Sequence, residues 1–343
     1  MPKNILLIGG SLNQTTMMHQ IAAHLTDNTC YFSPFFDDGL IGDLSQKGLL
    51  DFTILGGRHR KNTEAYFAEK GLPVDIGGQA RSYDLVITGT DLILPRRIRG
   101  KKLMLVQEGM TEPEGMLYFL VRWFGLPRFL ANTASTGLSN AFDLFCVASA
   151  GYRDLFVRKG VRPEKIAVTG IPNYDCLDAC LKNDFPHHHY VLAATSSHRE
   201  TFHWDDRRAF IQKVQRIAAG REILFKLHPN ENMARARMEI EQYAPEAVIY
   251  EQGNTYDMIA NCDVLVTQTS SVTFVGLALN KEVHSDLDLH QLRQLLPIQN
   301  GGTSALRIAE LCEQMLNRTP LVPVPTKALS LRSLSQKKVI NSL

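Results

Sequence analysis

A chain of 343 residues with 21% charged and 44% hydrophobic residues is a globular composition, with room for two domains that each bury a core. Its formal net charge of +2 excludes a general nucleic-acid footprint. The six cysteines (Cys30, Cys146, Cys176, Cys180, Cys262 and Cys312) form no CxxC pair and no zinc array, so they read as reduced, cytosolic and mostly buried, with neither metal nor cofactor expected. Met1 leads straight into Asn4-Ile5-Leu6-Leu7-Ile8 without a basic leader, and nowhere do about 18 apolar residues run together. A cytoplasmic protein without signal peptide or membrane span is therefore expected.

The N-terminal half alternates apolar runs with helix-like segments, the pattern of a doubly wound parallel α/β sheet. Ile5 to Ile8 runs into Gly9-Gly10-Ser11 and then a helix carrying Met17, Ile21, Ala22 and Leu25 at helical spacing. The glycines bring backbone close to a ligand or simply make a tight turn; they do not form GxGxxG. Further strands are predicted at Phe52 to Leu55, Tyr83 to Thr88, Lys102 to Val106, Phe142 to Val147 and Ile166 to Thr169, with a helix around Asn62 to Gly71.

The strand ending at Val106 delivers Gln107-Glu108-Gly109, followed by Thr111, Glu112 and Glu114, which puts carboxylates at a strand's carboxyl end. Next comes the aromatic run Met116 to Leu130, preceded by the basic stretch Pro95 to Lys102. A core helix after a solvated basic loop is the favoured reading of that region. A peripheral surface meeting a lipid-linked acceptor at the inner face of an anionic membrane is the alternative. A hinge is expected after Gly170 and Pro172, with Asn183 to His189 as linker rather than metal site. The expected units are residues 1–184, residues 185–325, and a basic tail or cross-over helix at 326–343.

The second half opens with the strand Tyr190 to Ala194, ending in Thr195-Ser196-Ser197-His198-Arg199-Glu200; Arg199 could hold a phosphate or carboxylate bidentately. A helix is predicted from about Asp205 to Ala218. Two clusters then follow apolar runs: Lys226-Leu227-His228-Pro229, and Thr269-Ser270-Ser271-Val272-Thr273 ahead of a helix to about Leu279. In open α/β sheets ligands bind outside the carboxyl ends of the strands, so both clusters can line one crevice. His228 offers a ring nitrogen to a phosphate oxygen or a leaving group, and Pro229 fixes the chain direction after it. Ser270 and Ser271 add hydroxyls, and the pair of clusters reads as a nucleotide pocket. The plainer reading is a strand-end histidine and a helix cap.

Lys226 to Pro229, Asp263 to Phe274 and Ala278 to Val283 together resemble the C-terminal half of GT-B transferases that use cytidine-activated donors: bacterial sialyltransferases, capsule Kdo transferases and CDP-glycerol glycerophosphotransferases. The resemblance implies two Rossmann-like domains with parallel sheets facing across a cleft. It implies a glycosyltransferase of surface-polysaccharide biosynthesis, moving a sugar from a nucleotide-sugar donor, CMP-sugar favoured, to a glycan or lipid-linked acceptor. Thr195, Ser196, Arg199, Lys226, His228, Pro229, Thr269, Ser270 and Ser271 are then donor-side residues, and Gly10, Ser11, Gln107 and Glu112 acceptor-side ones. Gln107-Glu108-Gly109 is similar to the D/E-D/E-G motif of the sialyltransferase families, with Gln107 in place of the first acid. That similarity makes Glu108 the implied general base, with His228 as its catalytic partner; if the first acid of the motif were the base, Glu112 or Glu114 would have to serve instead of Gln107. A second resemblance, at Thr195 to Glu200 and Asn300 to Ala309, is to UDP-N-acetylglucosamine 2-epimerases. Their paired glutamates are absent here, where Thr273, Phe274 and Val275 stand instead. A non-catalytic nucleotide- or glycan-binding relative completes the alternatives, and the sequence leaves the oligomeric state open.

Overall fold

The computed structural model describes residues 2–48, 50, 53–201 and 204–317. Its strands are β1 (Asn4–Gly9), β2 (Thr29–Pro34), β3 (Leu85–Thr88), β4 (Leu103–Val106), β5 (Leu144–Val147), β6 (Ile166–Val168), β7 (Val191–Ala194), β8 (Ile223–Lys226), β9 (Val248–Tyr250), β10 (Val264–Thr267) and β11 (Glu282–His284). Its α-helices are α1 (Leu12–Ala22), α2 (Leu40–Gln46), α3 (Gly57–Glu69), α4 (Met116–Phe124), α5 (Ala150–Lys159), α6 (Arg207–Ala218), α7 (Met233–Tyr243), α8 (Thr255–Asn261), α9 (Val272–Ala278), α10 (Leu289–Leu295) and α11 (Ser304–Leu316). All strand pairs are parallel. The first sheet runs β2-β1-β3-β4-β5-β6 and the second β11-β10-β7-β8-β9.

Central strands are apolar throughout because helices cover both faces of a parallel sheet. Leu85 to Thr88, Leu103 to Val106, Val191 to Ala194 and Val264 to Thr267 are buried at every position. Parallel pairing also gathers the carboxyl ends of each sheet on one edge, and the candidate residues sit on those two edges.

Two expectations are corrected. Residues 53–56 form a turn rather than part of a strand, Phe52 lies outside the described residues, and Thr29–Pro34 supplies the edge strand instead. The aromatic run is not a core helix: α4 buries Tyr118 and Val121 but leaves Met116, Leu117, Trp123 and Phe124 in solvent. The expected tail or cross-over helix at 326–343 lies outside the described residues, and among the described residues the chain returns to the first sheet at α11. In α11, Ala305, Ile308, Leu311 and Cys312 pack into the core formed by Ile5, Leu7, Met17 and Ile21.

The crossing points are fixed by polar bonds. Asp175 accepts from the backbone N–H groups of Asn300 (2.7 Å) and Ser304, while Asn300 Nδ2 and Ser304 Oγ donate to the Thr169 carbonyl at 2.9 and 3.0 Å. Gly170 lies between them at φ +77°, where a Cβ would stand 2.3 Å from Ser304 Oγ, so a larger residue is excluded by both conformation and space.

Candidate functional site

On the first sheet, α1 begins immediately after β1. Ser11 caps it, its Oγ accepting from Gln14 N–H at 3.1 Å. The same hydroxyl donates to Glu108 Oε1 at 2.6 Å, and Gln14 Nε2 donates to Glu108 Oε2 at 2.6 Å. The Glu108 carboxylate at the end of β4 is thus oriented by two neutral donors. Each of its oxygens keeps a second lone-pair direction for a substrate hydroxyl. Gly10 allows this approach, since a Cβ there would meet Gln14 Oε1 at 2.5 Å.

Gln107 has a different task. It is buried; its Nε2 donates to Gly109 O at 2.8 Å and its Oε1 accepts from Ala148 N–H at 2.9 Å. A carboxylate could accept from Ala148 but would oppose the Gly109 carbonyl, which accounts for an amide where the similar motif has an acid. Glu112 is exposed on the following loop, its backbone N–H bonded to Thr133 Oγ1 at 2.9 Å.

On the second sheet, His228 follows β8 in a turn tied down from behind. Its backbone N–H donates to Thr195 Oγ1 at 3.0 Å and Glu231 Oε2 at 2.9 Å. Asn230 N–H donates to His228 Nδ1 at 3.2 Å, which puts the proton of the neutral ring on Nε2. Burial holds the His228 pKa below its ordinary value of 6.5, and the nearby Lys226 and His198 act in the same direction against Glu231 and Glu200. The ring is therefore neutral at pH 7 and presents an N–H edge.

Beneath this turn lies a charge network that sequence reading missed. Glu231 accepts from Thr195 Oγ1 and from Arg207 Nη2; Asp205 pairs with Arg207 at 3.3 Å and with Arg199 at 3.2 Å. Gln268 donates to Asp205 Oδ1 at 2.9 Å and accepts from Ser196 Oγ at 2.6 Å. Thr195, Ser196 and Arg199 thus serve mainly to join the ends of β7, β8 and β10. Arg199 is also paired with Glu239 at 2.7 Å, and Lys226 donates to the Leu227 and Glu251 carbonyls at 2.8 and 3.2 Å. The only sequence hint was an acid three residues after His228.

Ser270 and Ser271 precede α9. Ser270 Oγ accepts from Val272 N–H at 3.4 Å, Ser271 is exposed without a capping bond, and Thr269 bonds His198 Nε2. Facing them is Tyr174, which sequence reading did not single out. Its hydroxyl would lie 3.5 Å from a Cβ at Gly109, and its ring packs on Tyr256 and Phe274 at 6.4 and 6.5 Å. Burial raises the Tyr174 pKa, Ser271 and Tyr256 partly offset that, and the charge of Glu108 raises it further. One neutral phenol therefore stands between Glu108 and Ser271. Arg58, at the start of α3, also reaches the opposite side and donates to the Pro229 carbonyl at 3.2 Å. Among the described residues no three His, Cys, Asp or Glu side chains are placed to hold a metal ion.

No protein-family model and no curated protein sequence matches this chain. Solved structures do. The UDP-GlcNAc 2-epimerase from Neisseria meningitidis bound to UDP-GlcNAc superposes with TM-score 0.59 at 11% identity, over 91% of this chain and 100% of that one. A co-structure of S. aureus MnaA with UDP gives 0.58 at 12% identity, over 94% and 99%. A variant of the wall teichoic acid polymerase TagF with CDPG gives 0.53 at 13% identity, over 93% and 90%. The fold is GT-B. At these identities the likeness concerns architecture alone.

Proposed function

We propose that the protein is a GT-B glycosyltransferase that moves a sugar from a nucleotide-activated donor, CMP-sugar favoured, to a hydroxyl of a glycan or lipid-linked acceptor. The observation that carries this reading is the opposition of two unlike half-sites. An oriented, partly solvated carboxylate, Glu108, belongs to one sheet; a neutral imidazole N–H, His228, and two serine hydroxyls belong to the other. Glu108 accepts the acceptor hydroxyl proton as the oxygen attacks the transferred carbon. His228, Ser270 and Ser271 hold the departing phosphate and offset its developing charge, with Arg58 adding a cation from across the cleft.

The Neisseria epimerase was solved with UDP-GlcNAc and the TagF variant with CDPG, so this architecture accommodates both uridine and cytidine ligands. The preference for a transferase rests on α9. Thr273, Phe274 and Val275 are buried there, and none is an acid that could grip a sugar hydroxyl. Calorimetry with CMP, CDP, UMP, UDP and GDP tests the reading, using His228→Ala and Ser271→Ala for comparison. Selective cytidine binding, weakened roughly 10- to 100-fold by the histidine change and several-fold by the serine change, supports it. Transfer of glycerol phosphate from a CDP-alcohol would move the protein to the glycerophosphotransferase class. Interconversion of UDP-sugars without acceptor would make it an epimerase, and nucleotide binding without turnover a binding module.

A further inference from the structure

Between β4 and β5 the chain carries an apolar face that neither sheet covers. Tyr118 and Val121 anchor α4 on Ala131 and Ala134. The other side presents Met116 (79% exposed), Trp123 (72%) and Phe124 (70%), and Phe129 and Leu130 continue the apolar surface beyond Gly125. The rings of Phe119 and Trp123 lie 5.6 Å apart, tilted by 36°, so these two exposed aromatics form one unit.

Cations border this face. Arg96, Arg97 and Arg99 are exposed, and Arg96, Arg99, Arg128 and Phe129 line one cavity of about 620 Å³. Arg128 donates from Nη2 to Asp91 O at 3.0 Å, while its Nε is buried without a partner. The acids at Asp37 and Asp38 are bonded to backbone N–H groups. Asp37 accepts from the backbone N–H groups of Gly39 and Gly42 at 3.1 Å, and Asp38 from those of Arg96 and Arg97. Glu112 and Glu114 are exposed acids of the loop before α4, and Glu114 is drawn toward Lys159, its Oε1 lying 3.7 Å from Lys159 Nζ.

We propose that this face docks on an anionic phospholipid bilayer, with Trp123 and Phe124 entering the interface and Arg96, Arg97, Arg99 and Arg128 meeting lipid phosphates. Large aromatics beside exposed arginines match a surface that is apolar within and anionic at its rim. A second copy of this chain fits less well, because a two-fold contact through this patch would bring two arginine clusters together. Glu108 lies eight residues before Met116, within about 28 Å even for a fully extended connection. Docking would therefore hold the first-sheet half-site near the membrane surface. The inference goes beyond the transfer reaction and stands or falls separately from it.

The test is co-sedimentation of the full chain with vesicles of phosphatidylcholine alone and of phosphatidylcholine with phosphatidylglycerol. The Trp204→Phe form additionally lets Trp123 fluorescence report insertion by a blue shift. Binding is expected on anionic vesicles, at least about tenfold weaker on neutral ones, and reduced by added salt. Trp123→Ser with Phe124→Ser should weaken it about tenfold or more. Arg96→Glu with Arg97→Glu should remove the preference for the anionic lipid, with nucleotide binding and far-UV circular dichroism unchanged in both pairs. Absence of binding to either vesicle, or equal binding by the serine variant, would overturn the proposal. So would a concentration-dependent dimer that the serine variant abolishes, since the occupant would then be a second copy.

Discussion

Replacing Glu231 by Gln probes the network on which the His228 turn rests. The side chain is 3% exposed, and its carboxylate serves Arg207 on one oxygen and both Thr195 Oγ1 and the His228 N–H on the other. An amide keeps one acceptor. If its oxygen stays on Arg207, the bond loses charge assistance, about 1 kcal/mol, and an N–H group faces the His228 N–H, leaving buried donors unsatisfied at about 1–3 kcal/mol. The sum is about 2–4 kcal/mol, near the lower part of the range for breaking a buried ion pair. With a urea slope of about 2 kcal/mol/M, the unfolding midpoint should fall by roughly 1–2 M. Far-UV circular dichroism in urea measures this, with Glu246→Gln, an exposed position, as a control expected to change stability by less than about 0.5 kcal/mol. Nucleotide affinity of the still-folded variant should drop as well, because the His228 backbone loses a partner. A midpoint shift indistinguishable from the control would refute the network as the support of the turn.

Glu108→Gln should lower kcat by about 10²–10⁴ while leaving nucleotide affinity unchanged; single-turnover transfer and calorimetry separate the two. His228 gives a pH signature. Its pKa is held below 6.5 by burial, and a bound phosphate would raise it, so nucleotide binding should take up protons and strengthen as pH falls below neutrality. Calorimetry in buffers of different ionisation enthalpy reads that uptake, and His228→Gln should abolish it. The same depressed pKa has a stability consequence: its contribution is full above the ordinary value of 6.5 and is lost as pH falls through the folded-state value. Gln107→Glu restores the acid of the similar motif, yet it should cost about 1–3 kcal/mol and fail to raise activity, because the new oxygen faces the Gly109 carbonyl; thermal unfolding and turnover decide it.

Apart from the half-buried β6, the strands expected from sequence are those largely buried, where parallel packing writes a continuous apolar run. Leu103 to Val106 and Val264 to Thr267 are of this kind. β2 escaped because its first residue is exposed and its next two are half-buried, which leaves no clear run. α4 was misread for the converse reason: an apolar stretch looks the same whether protein or another surface covers it. In the site, His228, Ser270, Ser271 and Glu108 were legible because each lies a few residues beyond a strand end. Gln14 and Glu231 act through hydrogen bonds to those residues, and pattern alone does not separate such a role from a helix face or a solvated turn. Arg58 and Tyr174 depend on how the two halves approach, which local sequence does not encode.

That approach is set by a short segment. Gly170 and Asp175 bind the stretch around Asn300 to Ser304, so the outgoing and returning chains are fastened to each other at one level. Tyr174 lies within this fastened segment and projects between Gly109 of the first half and Phe274 of the second. A rotation of one half against the other about this point would move the long arms of the cleft most and the residues beside Tyr174 least. Under such a rotation Glu108 and Ser271, the neighbours of Tyr174, would change their separation little. Arg58 reaches Pro229 from α3, far from Tyr174 in the chain, and under such a rotation this bond would be among those that open.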